Sequence, residues 1–295
     1  MDWDDLRVFA ELARTGSLSA AARALKMDHT TVGRRIAALE DSLGVRLFDR
    51  LPRGTMLTAD GERIAEAALR MEEQSFAIAR LAQEGTGLSG TVRVSAPPNL
   101  SASFIAPRLG GLRAAHPGIV LELIGENRSV SLARREADIA VRLARPQGDS
   151  LVGRKLGNLA YRLYGARDYV LQRQDRQGQD SHDWDWIGFD EEMDHLPQQR
   201  WVKQMAGGKD FIFRSNEQSI QLAAVKAGIG ISALPCHLGE PEPDLVQVPG
   251  QGVPAPRELW LVVHQDLRRS PRIRAVMEYL ADMVLKDIHL LEGHP

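Results

Sequence analysis

Apolar residues near the start of the chain recur three and four positions apart. Leu6, Phe9, Ala10 and Ala13 form one stripe and predict a helix over residues 3–14. Asp2 suits the N-cap, Asp4 and Asp5 suit the positive end of the helix dipole, and Gly16 suits the stop. Two further helical patterns lie within residues 17–50, separated by a break at Lys26, Met27 and Asp28. The first is small and alanine-rich. The second opens at Asp28, a good N-cap, and sets Val32, Ile36 and Leu39 on one face. Its polar face carries His29, Thr30, Thr31, Gly33, Arg34 and Arg35, and Gly44 stops it. This is the pattern of a helix-turn-helix whose second helix enters a DNA major groove. It is also the pattern of a helical hairpin that only packs against a neighbour.

Residues 45–49 and 56–58 then read as two short strands, with Pro52, Arg53 and Gly54 turning between them as a wing. A long helix is predicted over residues 58–83. Ile64, Met71 and Ile78 are spaced by seven, and Ala67, Gln74 and Leu81 form the adjoining seam. Such a helix requires a partner, either a second chain or its own domain.

Gly85-Thr86-Gly87-Leu88-Ser89-Gly90 is the clearest boundary in the chain. Beyond it strands and helices alternate. Strands are predicted at 91–96, 119–124, 138–142, 159–165, 186–189, 211–213, 231–234, 245–248 and 258–263. Helices are predicted at 103–115, 130–136, 217–227 and 272–285, and an exposed loop at 172–183. Alternation of this kind argues for α/β layers. There is no internal repeat.

The 295 residues exceed the usual single-domain length, and 43% are hydrophobic, enough for a substantial core. No apolar run approaches the roughly 18 residues of a membrane helix, and the first residues do not read as a signal peptide, so the expected location is the cytoplasm with no membrane partner. One cysteine excludes an internal disulfide and a cysteine metal cluster. Cys236, beside Pro235, reads as packing, with redox sensing as the alternative. The net charge of −2 is not that of a uniformly basic nucleic-acid binder. Residues 17–53, however, hold seven basic and four acidic side chains, a local +3. Local charge decides phosphate attraction across a Debye length of about 8 Å. The eight histidines show no HExxH spacing, and there is neither a Walker loop nor a GxSxG turn, so no catalytic set and no metal site is expected.

Residues 1–87 resemble the N-terminal region of LysR-type transcriptional regulators. The match runs through Asp2-Trp3-Asp4-Asp5-Leu6-Arg7-Val8-Phe9, Gly16-Ser17, Ala20-Ala21, Leu39-Glu40, Leu43-Gly44, Leu47-Phe48, Arg50, Arg53-Gly54 and Leu57-Thr58-Ala59-Asp60-Gly61. The chain departs from the family at His29, Thr30 and Gly33, where Gln-Pro and a later Ser are common, and this predicts a different operator half-site. Further on, Ala137-Asp138-Ile139-Ala140 and Ala227-Gly228-Ile229-Gly230-Ile231 with Leu234-Pro235 resemble the effector-binding domain of the same family, which shares its fold with periplasmic solute-binding proteins. The resemblance implies a winged helix-turn-helix over 1–57, a dimerisation helix over 58–84, a linker over 85–90 and an effector domain over 91–295. Within that domain, subdomain I spans 91–161 and 264–295, and subdomain II spans 162–263. Crossover strands are placed near 161–163 and 262–264.

The implied partners are promoter DNA, RNA polymerase, further copies of the chain in a dimer or in a tetramer built as a dimer of dimers, and a small-molecule co-inducer; no cofactor is expected. DNA contact is assigned to Ser17, His29, Thr30, Thr31, Gly33, Arg34, Arg35 and Arg53. Ligands in this fold lie between the subdomains, at strand C-termini and helix N-termini. That assigns Pro98, Asn99, Ser101, Asn127 and Arg142 on one side, and Phe189, Asp190 and Asn216 on the other. Three strand ends (Ala96, Gly125, Arg142), two of them before helix N-termini, suit an anionic effector. The competing expectations are an architectural DNA-binding protein whose C-terminal domain only oligomerises, and an α/β enzyme with a helical N-terminal module.

Overall fold

A computed structural model of the chain describes residues 1–50, 55–81, 88–126, 132, 137–148, 150–177, 184–248 and 252–293. The chain divides into two compact units, Met1–Glu84 and Gly85–Pro295.

In the first unit, α1 (Trp3–Thr15), α2 (Leu18–Leu25) and α3 (His29–Leu43) precede β1 (Phe48–Arg50), β2 (Thr55–Leu57) and α4 (Ala59–Leu81). The predicted caps form at α1: Asp2 accepts from the Asp4 N–H at 3.1 Å, and Gly16 ends the helix at φ +63°. The inward stripe of α1 is wider than its spacing suggested, because Val8 and Leu12 are buried with Leu6, Phe9 and Ala10. Val32, Ile36 and Leu39 of α3 complete this core, and Phe9 meets Phe48 edge-on with centroids 5.4 Å apart. Asp28 occupies the N-cap position of α3, but its side chain makes no cap bond.

Strand β1 begins at Phe48, three residues later than predicted. Leu47 is committed elsewhere: its N–H donates to Glu40 Oε1 at 2.7 Å, and its carbonyl accepts from the Thr58 N–H at 3.1 Å. Thr58 caps α4, its Oγ1 accepting from the Gly61 N–H at 2.9 Å while donating to the Arg46 carbonyl at 2.7 Å. The wing turn, including Arg53, lies outside the described residues.

In the second unit a five-stranded sheet runs in the order β4-β3-β5-β12-β6, from β3 (Gly90–Ala96), β4 (Ile119–Gly125), β5 (Ile139–Arg142), β6 (Leu151–Leu159) and, late in the chain, β12 (Arg257–His264). β3 is parallel to β4 and β5, and β12 is antiparallel to its neighbours β5 and β6. Between β3 and β4 the chain makes α5 (Pro98–Leu100), a π turn (Ser101–Ile105), a 3₁₀ turn (Ala106–Arg108) and α6 (Gly110–Ala115). The predicted helix over 103–115 therefore starts earlier and changes register. Pro107 has no N–H to donate and its ring crowds the preceding turn, so the bonding before it slips to the Ala106 N–H on the Ser101 carbonyl. The predicted helix over 130–136 lies outside the described residues, Leu132 excepted.

The chain leaves this sheet at Ala160. It forms β7 (Tyr161–Ala166), α7 (Arg167–Gln177), β8 (Trp186–Gly188), α8 (Pro197–Ala206), β9 (Phe211–Arg214), α9 (Gln218–Lys226), β10 (Ser232–Pro235), α10 (Cys236–Gly239) and β11 (Leu245–Gln247) before β12 returns. β7 lies between β10 and β11, β8 pairs with β9 in parallel, and a Trp186–Ile231 bridge joins the two ribbons. After β12 come α11 (Pro271–Lys286), packed under the first sheet, and α12 (Ile288–Glu292).

Three expectations are corrected. The second crossover does not fall at 262–264. All of β12 belongs to the first sheet, with Trp260 opposite Arg142 and Val263 opposite Ile139, so the chain returns before Arg257 and subdomain II ends short of 263. The reason is burial on both faces: Leu259, Leu261 and Val263 enter one core and Val262 the other, which suits a central strand. Residues 167–177 form a helix where a loop was expected from 172. Val170 is buried and Tyr169 Oη bonds Asp185 Oδ2 at 3.0 Å, so two anchors suffice for a mostly polar helix. Finally, β6 and α8 were missed, since β6 is an exposed edge strand with little alternation.

Gly61 tests the junction between wing and α4. A Cβ there would lie 2.2 Å from the Leu47 carbonyl oxygen, a backbone atom that cannot step aside. Gly61→Ala is expected to destabilise the first unit by about 1–3 kcal/mol, read by scanning calorimetry as a lower midpoint for that transition alone.

Candidate functional site: a winged-helix face and a cleft between two sheets

Helix α3 separates its chemistry by face. Val32, Ile36 and Leu39 are buried, whereas His29, Thr30 and Arg34 are exposed, with Thr31 and Gly33 partly so. Ser17, at the N-cap of α2, makes no side-chain cap bond and stays partly exposed beside this face. Arg35 departs from expectation. Its Nη1 contacts Asp4 Oδ2 at 2.9 Å and Asp5 Oδ1 at 3.0 Å, so its charge ties α3 to α1 instead of facing outward. At Gly33 an added Cβ would meet nothing within 4 Å. The glycine is therefore not required by packing, which leaves helix flexibility or close approach of a partner as its use.

On the proposed dimer seam, Ile64 packs against the core of its own unit, so it is not wholly available to a partner. Ala67 and Met71 are exposed, and neighbouring Leu69 is 39% exposed. The side chains of Gln74, Ile78 and Leu81 lie outside the described residues.

In the second unit the chain passes from one sheet to the other at Ala160–Tyr161, and the cleft implied by the fold lies between those sheets. Asn99, after β3, is buried and donates through Nδ2 to Gln218 Oε1 at 2.6 Å. Gln218 is the first residue of α9, in the other subdomain, so this bond spans the cleft. Tyr161 is 1% exposed; its hydroxyl sits beside Gln218 and Arg257 without hydrogen-bond geometry to either, and burial pushes its pKa up to about 12. Arg142 ends β5 with Nη1 3.2 Å from Ser95 Oγ and 3.2 Å from the Val141 carbonyl. Burial pulls its pKa down and the charge of Glu126 opposes that, but a guanidinium stays charged.

Of the other candidates, Ser101 Oγ donates to the Ala96 carbonyl at 3.4 Å and Asp190 Oδ1 caps a 3₁₀ turn through the Met193 N–H. Both side chains are thus engaged with nearby backbone. Pro98 packs under Gly125. Phe189 is buried, its backbone held by Gln199, and Asn216 is exposed. Asn127 lies outside the described residues. Sequence reasoning missed Gln218, two positions beyond Asn216. The available signal was a run of polar positions, Gln218 and Gln221, on the inward face of an otherwise apolar helix.

His237 of α10 is buried edge-on to Phe104, and burial, with Arg108 nearby, lowers its pKa to about 4. Burial also raises the thiol pKa of Cys236, which argues against a reactive thiolate there. Among the described residues no group of three His, Cys, Asp or Glu is placed to hold a metal, and no helix is long and apolar enough to cross a membrane.

Residues 3–62 match the model of the bacterial regulatory helix-turn-helix protein, lysR family, and residues 85–284 match the LysR substrate binding domain. The Mau operon transcriptional activator of Paracoccus denitrificans is 30% identical over 286 residues, 96% of each chain. Full-length structures of the Vibrio cholerae virulence activator AphB and of CrgA from Neisseria meningitidis each give a TM-score of 0.57 at 23% identity, covering 96% of this chain and 99% or 98% of theirs. The chain belongs to the LysR family of transcriptional regulators. It is accordingly a DNA-binding regulator with an effector-binding domain, and not an enzyme.

Two substitutions separate the roles on α3. Gly33→Ala is expected to stabilise the helix by about 1 kcal/mol while lowering promoter affinity if the backbone approaches DNA. Arg34→Ala should reduce the slope of log affinity against log salt by about one unit, measured by fluorescence anisotropy over a salt series.

Proposed function

We propose that α3 lies in the major groove of promoter DNA with His29, Thr30, Thr31, Gly33 and Arg34 toward the bases and phosphates, and Ser17 beside them. The observation that carries this is the partition of α3: one face is committed to the core and the other is exposed, with Arg34 beside His29 and Thr30 near its N-terminus. Arg53 of the wing belongs to the same reading by resemblance. Arg35 does not, being held by Asp4 and Asp5. Contact with RNA polymerase and a cytoplasmic location belong to the same reading. The test is a promoter footprint that Arg34→Ala weakens and that changes on adding a small-molecule effector.

The effector reading is a small anion in the cleft. Arg142 supplies a fixed charge at the end of β5, partly buried, where a charge-assisted bond is stronger than in water. For it to act, the effector must bind one arrangement of the two chains better than another, since equal affinity shifts nothing. Arg142→Ala is expected to weaken effector binding by about 1.5–3 kcal/mol in titration calorimetry and to leave effector-free DNA binding intact.

Self-association through α4 is supported by its exposed Met71 and Leu69. Replacing Ala67 and Met71 together by Lys should place like charges on the shared seam, giving smaller species in sedimentation velocity. An unchanged oligomer would mean that α4 is not the interface.

A further inference from the structure

The second subdomain holds a narrow recess, beside the strand end Gly188-Phe189, that is lined by polar groups the effector reading does not use. Gln198 and Gln199 open α8, Gln221 lies one turn into α9, and Ser232 begins β10; all four are buried. Gln199 accepts from the Phe189 N–H at 3.0 Å, with its Nε2 3.4 Å from the Phe189 carbonyl. Gln221 donates to the Ser215 carbonyl at 3.0 Å and accepts from Ser232 Oγ at 3.2 Å. Gln198 differs from these. It is 3% exposed, and its Oε1 has no hydrogen-bond partner.

Gln218 stands three residues before Gln221 on the same face of α9. Its Oε1 holds Asn99, but its buried Nε2 is also without a partner. Two subdomain-II helices thus each carry one such buried group, Gln198 Oε1 on α8 and Gln218 Nε2 on α9. A buried polar atom left unpaired is costly, so a ligand group that pairs with it gains what water cannot supply. No ionisable side chain lines the recess, so a charged group would enter without a counter-ion. A purely apolar group would leave Gln198 Oε1 unpaired.

We propose that this recess is a specificity subsite for an uncharged hydrogen-bond donor, a hydroxyl or primary amide, carried on the effector. The assignment rests on the effector reading above only for the anionic end of the molecule. The recess is narrower than a water in this structure, so the proposal requires its walls to part around the hydroxyl or amide.

The test uses the full chain and five probes: butyrate, 4-hydroxybutyrate, succinate, succinamate and the neutral butyramide. Binding is followed by calorimetry and by saturation-transfer NMR. 4-Hydroxybutyrate should bind about tenfold more tightly than butyrate, and succinamate about tenfold more tightly than succinate, for one added buried hydrogen bond. Gln198→Met, of similar volume and without the amide, should abolish both preferences. Ser232→Ala, a smaller change, should reduce them through Gln221. Melting temperatures of both variants verify folding. Butyramide retained by Arg142→Ala and lost from Gln198→Met supports the subsite even where the anionic reading fails. Acids lost from Arg142→Ala, with no preference for the hydroxyl or amide member, support the anionic reading and overturn the subsite. The subsite is also overturned if the preferences survive Gln198→Met, or if no hydroxyl- or amide-bearing probe binds the unaltered protein.

Discussion

In the effector unit the backbone passes between the two sheets at only two places, Ala160 and the segment between β11 and β12. Everything else that holds the subdomains at their present separation is non-covalent. The buried Asn99–Gln218 hydrogen bond is the most direct such link, joining the turn after β3 to the first residue of α9. Apolar packing adds to it, since His237 of α10 lies edge-on to Phe104 of the first subdomain. A ligand group that pairs with Gln218 Oε1 competes with the Asn99 amide for it. The cleft is polar because its walls are strand ends and helix starts, where backbone groups lack partners within their own element.

The DNA-binding unit depends on a different constraint. Its helices are short, and α2 and α3 are joined by a residue, Lys26, in the left-handed region at φ +54°. Such a turn holds only if both helices are pinned elsewhere. Three ties supply this: apolar burial of Val32, Ile36 and Leu39, the Arg35 pairs with Asp4 and Asp5, and Glu40 Oε1 accepting the Leu47 and Phe48 N–H groups. Glu40 thus connects α3 to the wing, a role for an acidic residue in an otherwise basic region. Arg34 and Arg35 show how adjacent identical residues divide, since a 100° turn per residue puts one over solvent and the other over α1.

Much of this architecture was legible from the chain alone. The 3.6-residue stripes of α1 and α3, the glycine stops at Gly16 and Gly44, and the start of α4 at Thr58 follow from local chemistry acting within a few residues. So did most strands of the α/β unit, whose apolar runs are short and bounded by turns. The family was legible because its signature lies mainly in that local chemistry, around helix starts, stops and the turn.

What only the tertiary structure decided depends on residues far apart in sequence. The membership of β12 in the first sheet rests on pairing with β5 and β6 more than 90 residues earlier. Arg35 read as a DNA contact until Asp4 and Asp5 were brought beside it. Asp190 and Ser101 read as ligand groups, and each is bonded to backbone within five residues, at the Met193 N–H and the Ala96 carbonyl. Gln218, two positions beyond Asn216, is buried and bonded to Asn99, because helix α9 begins only after Glu217 and sets the inward face from there. Periodicity tells which side of an element is buried. It does not tell what that side is buried against, and for a polar side chain the partner determines whether it braces the fold or is left to meet a ligand.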